Sequence, residues 1–158
     1  MMMEGYNPDR QKDLCQDKDD CILGDHPTLA ALKLYGNRTP IAWLVPQLLN
    51  LSEFCGCKDK LTNTMIEELA DIIAAEWFYL KVSELMLFFH WFKSGKYGRF
   101  YGAVDPLVIT TSLRDFVMER NDRLSRLEQD ERESRMQEHM SKSVTREQYE
   151  QMKKEDMV

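Results

Sequence analysis

Basic residues are in deficit in this chain. Lys and Arg number 21 against 27 Asp and Glu, a net charge of −6. Coating nucleic acid without regard to sequence takes an excess of cations to neutralise phosphates, so that class is excluded. A local basic patch is not, because screening confines such effects to about 10 Å at ordinary salt. Long apolar runs are missing too. The longest, between Leu85 and Phe92, is interrupted by His90 and falls far short of the roughly 20 residues that span a bilayer. No basic region leads into an apolar stretch at the N-terminus, so no signal peptide is expected. The expectation is a soluble, cytoplasmic chain without a membrane partner.

Metal and catalytic patterns are equally scarce. Cys15, Cys21, Cys55 and Cys57 are spaced CxxxxxC and CxC, neither of them a common zinc knuckle, so reduced thiols are expected in place of a four-thiolate site. Asp17, Asp19 and Asp20 suggest a calcium loop, but its sixth and twelfth positions hold Ile22 and Thr28, where Gly and Glu are required. Glu67 and Asp71 share a helical face without the Glu-x-x-His pair of di-metal bundles. His90 stands alone among aromatics, with no base or nucleophile paired to it in sequence. The chain reads as a non-enzyme, with no cofactor and no metal.

What is present is helical periodicity. At 158 residues and 43% apolar content, the chain is long enough for one core domain with tails. Charge divides it at His26 and Met118. Residues 1–26 hold three basic and seven acidic groups, residues 27–118 nine of each, and residues 119–158 nine basic and eleven acidic. The first stretch lacks periodicity and is expected to be an acidic, mostly disordered arm. Residues 27–118 are the expected helical core, and 119–158 a charged helical extension and tail. The fold class is therefore all-α, a compact four- or five-helix domain with a long charged C-terminal helix.

Within the core, Pro27–Tyr35 reads as a short helix stopped by Gly36. A second starts at Thr39-Pro40 and contains Pro46, which predicts a kink or break near Trp43. Over Leu61–Trp77, Met65, Ile66, Leu69, Ile73 and Trp77 form one stripe, with Thr62 or Thr64 as cap. Ser83–Ser94 is apolar nearly all round, the mark of a helix buried on most sides, with Ser83 as cap and Gly95 as stop. Asp105-Pro106 opens the last helix, which continues through Met140 with acid-first pairs such as Glu119–Arg123, Asp122–Arg126, Glu128–Arg132 and Glu131–Arg135. Heptad continuity fails beyond Leu127, where Glu131 and Ser134 take the seam positions, so an autonomous coiled coil is not expected. Thr145 with Gln148 is read as the cap of one final short helix.

One loop carries concentrated chemistry. From Phe92 to Gly102 there are three cations, four aromatics, three glycines and no acid. Cations meet phosphates while aromatic faces stack on bases, the combination used on single strands. The loop is neither a Walker sequence nor a dinucleotide fingerprint. A structural alternative is that its glycines only turn the chain, with Tyr97, Phe100 and Tyr101 packed as a lid on Trp91. The candidate binding residues are Lys93, Lys96, Tyr97, Arg99 and Tyr101.

Leu61, Glu68-Leu69-Ala70, Tyr79-Leu80-Lys81, Glu84-Leu85, Phe92-Lys93-x-Gly95-x-Tyr97-Gly98, Tyr101-Gly102, Asp105, Ile109 and Phe116 together resemble a family of small uncharacterised helical proteins from Bacteroidetes genomes, prophages and mobile elements. The resemblance spans Pro27 to Arg120 and implies no activity. The helical build and the Phe-Lys-x-Gly-x-Tyr-Gly turn are more faintly similar to the helical domains of phage replicative-helicase loaders. The implied function is a non-enzymatic accessory of phage or mobile-element DNA replication, contacting DNA or a replication protein through the basic-aromatic loop, residues 93–102. The alternative is an interaction adaptor that docks a partner through the charged C-terminal helix.

Overall fold

The structure, a computed structural model, describes residues 3–155, apart from the side chains of residues 143–145. Among the described residues seven α-helices follow in order: α1 Gln11–Leu14, α2 Lys18–Leu23, α3 Leu29–Leu32, α4 Thr39–Phe54, α5 Asn63–Glu76, α6 Val82–Lys93 and α7 Pro106–Glu155. Among the described residues there is no strand, only two isolated bridges, Thr28 with Lys81 and Asp59 with Ala103. The fold is all-α. By internal contact the chain forms two units, Met1–Phe116 and Val117–Val158.

The first unit is built around α6. Every residue from Val82 to Phe89 is buried, because a helix with no polar face has to be covered on most sides. Helices α1, α2 and α4 pack on it, and α4 pairs in turn with α5. Phe88 meets Phe92 and Phe116 edge-on, with ring centroids 5.9 and 5.7 Å apart, the geometry that aromatic quadrupoles favour. Local caps follow the sequence signals. Thr62 accepts from the Met65 N–H at 3.2 Å and Asp105 from the Leu107 N–H at 2.9 Å, each satisfying a donor that the first helical turn leaves open.

Four expectations are corrected. Residues 4–23, expected as a disordered arm, form 3-10 turns and the helices α1 and α2, with Gln11, Cys21 and Ile22 buried. Their partners lie far along the chain. Trp43 Nε1 and Gln47 Nε2 both donate to the Tyr6 carbonyl, at 3.1 and 2.8 Å, and Lys81 Nζ donates to the carbonyls of Ile22 and Gly24 at 2.9 and 2.8 Å. A cation on the carbonyl end of α2 satisfies orphan acceptors and suits the helix dipole. Second, Ser83 is not a cap: α6 starts one residue earlier, the Lys81 N–H is met by Glu84 at 3.3 Å, and Ser83 is buried and donates to the Cys21 carbonyl at 2.7 Å. Third, α4 is one continuous helix through Pro46. The backbone bond that proline removes is outweighed by full burial of Leu44, Leu48 and Leu51 on its inner face. Fourth, Met65 is not part of the α5 stripe; it is 42% exposed, while Ile66, Leu69, Ile73 and Trp77 are buried.

The second unit, residues 117–158, is the remainder of α7. Every described side chain from Glu128 to Glu155 is exposed. Glu131 and Arg135 pair at 3.2 Å, as their spacing predicts. The helix does not end before Thr145 but runs on to Glu155; the capping role read for Thr145 lies outside the described side chains.

Candidate nucleic-acid interface

The basic-aromatic loop starts where α6 stops. The Gly95 N–H reaches the Phe92 carbonyl at 3.1 Å and the Lys96 N–H reaches the Trp91 carbonyl at 3.2 Å, a Schellman arrangement. It requires a left-handed residue after the helix, and Gly95 provides it with φ +85°. Gly98 at φ +100° turns the chain again.

The five candidate residues separate into inward and outward sets. Lys93 is half-buried and turns inward. Its ammonium donates to Gln11 Oε1 at 2.9 Å and to Asn50 Oδ1, and it lies 5.5 Å from the centre of the Phe54 ring. Both hydrogen-bond partners are neutral amide carbonyls, and burial lowers the pKa of the lysine from its usual value, with Cys55, Asp9 and Cys15 acting weakly in the opposite sense. Tyr97 also turns inward, 5.5 Å from Phe88 and 6.0 Å from Phe92 between ring centres. Lys96 is exposed and stands 3.7 Å from the centre of the Trp91 ring, a cation–π contact that orients its charge. Arg99 is exposed, and Tyr101 is 91% exposed. The lid expected on Trp91 has a different arrangement: Tyr97 and Phe100 pack on Phe92, Trp91 packs on Phe116, and Tyr101 points to solvent.

Two further cations join the outward set. The Asp59 N–H donates to the Gly102 carbonyl at 3.3 Å, and the Val104 N–H donates to the Asp59 carbonyl at 2.9 Å. These bonds fasten the segment Lys58-Asp59-Lys60, with all three side chains exposed, against the loop. The reading from sequence missed Lys58 and Lys60, because the pairing is between backbone atoms and leaves no side-chain signature. Lys58 and Lys60 therefore join Lys96 and Arg99 as exposed cations on the loop and the segment bonded to it, with Asp59 between the two lysines.

Behind this surface lies an open groove of about 250 Å³. Phe54, Phe92 and Phe100 supply aromatic walls, Lys93 and Arg99 supply charge, and Gly95 and Gly98 form part of the lining. Phe54, at the end of α4, is 61% exposed. His90 is half-buried and borders a second groove that Phe54 and Lys93 also line.

The four cysteines do not converge. Among the described residues no group of three or more His, Cys, Asp or Glu could hold a metal ion. Cys15 and Cys21 are buried, and the hydrogen bond between them raises the pKa of Cys15 and lowers that of Cys21. Burial raises Cys55. Nor is any helix among the described residues long and apolar enough to cross a membrane.

Residues 60–157 match a family of unknown function, DUF6633, and the chain belongs to that family. The match begins just before α5 and takes in the whole of α7, including the charged extension that the resemblance drawn from sequence left out. No curated protein and no solved structure matches the chain.

Proposed function

We propose that this member of the DUF6633 family is a non-enzymatic accessory protein that contacts single-stranded nucleic acid, within the replication of phage or mobile-element DNA. One observation carries the contact: Tyr101 is 91% exposed on a loop that also exposes Lys96 and Arg99 and whose backbone is bonded to a segment exposing Lys58 and Lys60. Exposing a tyrosine to this degree gives no packing benefit, and its face is open for stacking, which is worth about 1–3 kcal/mol per base in strand-binding proteins. Cations close by meet the phosphates, and a patch of this size is compatible with a net negative chain because its field is local. The replication context is carried by the sequence resemblance.

A salt titration of the full chain with a fluorescent oligothymidine tests the contact. Affinity should fall as salt rises, with a log–log slope of about −0.7 for each phosphate contact. The triple variant K58E/K60E/R99E should abolish binding, and Tyr101→Ala should weaken it about tenfold or more. Lys93 is left out of this test because it is part of the packing. If the wild-type chain does not bind at low salt, the proposal is wrong.

A second reading is supported by a different observation. All described side chains from Glu128 to Glu155 are exposed, including Met136, Met140, Tyr149 and Met152, and the family match extends over them. On this reading α7 docks a protein partner. Removing residues 128–158 should then abolish capture of that partner while oligothymidine binding persists.

A further inference from the structure

We infer that the groove between Phe54 and Phe100 is a nucleotide subsite: one base enters it, and the adjoining phosphate is met by Arg99 and Lys93. This deepens the strand-contact reading and rests on it. Three features of the groove point to that occupant.

The first is its size. At about 250 Å³, it is below the range of about 300–1,000 Å³ usual for drug-sized ligands and fits a single small planar group.

The second is its walls. Phe100 and Phe92 lie 5.4 Å apart between ring centres, inclined at 33°, so Phe92 backs Phe100 and holds it in place. Phe54 faces the groove from the end of α4 and is 61% exposed. Two phenylalanine rings on different elements of the fold line one groove, and such rings are a platform on which any base can stack. Cys55, Gly95 and Gly98 complete the lining, and a Cβ placed on either glycine would meet nothing within 4 Å. Ligand can therefore approach the backbone closely there.

The third is charge. Lys93 and Arg99 both line the groove, and among the described residues none of its lining groups is a carboxylate. The Lys93 ammonium has three donors, two of which meet the neutral carbonyls of Gln11 and Asn50. Its charge is half removed from water and opposed by no hydrogen-bonded anion. Asp9 borders a neighbouring groove that Lys93 also lines, and acts on the lysine without a hydrogen bond to it. A phosphate at the mouth would supply a hydrogen-bonded counter-charge, and the flat guanidinium of Arg99 suits a phosphate's paired oxygens. An apolar ligand would leave both cations uncompensated, and a free inorganic anion would leave the aromatic walls unused. A nucleoside monophosphate unit satisfies both halves.

The test uses the full chain with thymidine monophosphate, thymidine, inorganic phosphate and oligothymidine as separate probes, followed by NMR shift perturbation and calorimetry. Thymidine monophosphate should bind more tightly than thymidine or phosphate alone and should shift the signals of Phe54, Gly98 and Phe100. Phe100→Ala should weaken it about tenfold. Phe54→Leu, at an exposed position where folding is not at stake, should also weaken it. Arg99→Gln should reduce binding of the monophosphate and leave thymidine unchanged. If oligothymidine binds while the monophosphate does not, and Phe54→Leu leaves the oligomer's affinity intact, the subsite is overturned and the surface contact stands. If the monophosphate binds as expected and the oligomer does not, the pocket is supported and the strand reading falls. If neither binds, both fall.

Discussion

The two ends of the chain are made from comparable material and are treated differently by the fold. Residues 1–26 and residues 119–158 are both acidic on balance and rich in Asp, Glu, Lys and Arg. In the first, Gln11, Cys21 and Ile22 are buried and short helices form around them. In the second, every described side chain from Glu128 onward is exposed along one long helix. Charge does not separate the two. Ordering a residue's backbone costs about 1–2 kcal/mol, and the N-terminal stretch offsets it with a few buried groups and with carbonyls that Trp43, Gln47, Lys81 and Ser83 fill. The C-terminal stretch relies on the regular backbone bonds of its own helix and on pairs such as Glu131–Arg135.

Substitutions placed in each end can break this contrast. The largest effect is expected for Ile22→Ala, which opens a cavity against α6 and should cost about 3 kcal/mol in urea unfolding. If its midpoint matched the wild type, the N-terminal segment would not be docked. Lys81→Met removes the donor shared by the Ile22 and Gly24 carbonyls. It should cost about 2 kcal/mol, and amide exchange over residues 18–24 should quicken ahead of the rest of the core. Trp43→Phe deletes one bond to the Tyr6 carbonyl and retains the aromatic packing. About 1 kcal/mol is expected, with faster exchange confined to residues 4–10. At the other end, Met136→Ala should leave the unfolding midpoint unchanged, since surface positions of this kind rarely move stability by more than about 0.5 kcal/mol. Smallest of all, Glu131→Gln should alter helicity by circular dichroism only slightly, and only at low salt. A large loss of stability from either of the last two would mean that this helix is more than an exposed surface.

The same contrast shows which parts of the site were legible beforehand. Gly95 as a stop and Asp105 as a cap are local signals, decided within a few residues, and both are found where the sequence puts them. Ser83 carried the same kind of signal and was misread, because its hydroxyl is taken by the Cys21 carbonyl from a distant segment. Lys93 looked like its neighbours Lys96 and Arg99 in the sequence, yet it faces Gln11 and Asn50 while they face solvent. The direction of a side chain at the end of a helix depends on what packs beside it.

From the amino-acid order alone come the all-α class, the near-total burial of α6, the turn at Gly95 and the absence of an acid from the loop. Each depends on period or composition, which propagate through nearest neighbours along the chain. Tertiary structure alone decided that residues 4–23 form helices and turns, that the segment of Lys58 and Lys60 is bonded to the loop, and that Phe54 and Phe100 line one groove. Those depend on contacts between residues tens of positions apart, and the physical reason is the same in each case: a backbone carbonyl or an aromatic face has no identity in sequence until the fold brings it a partner.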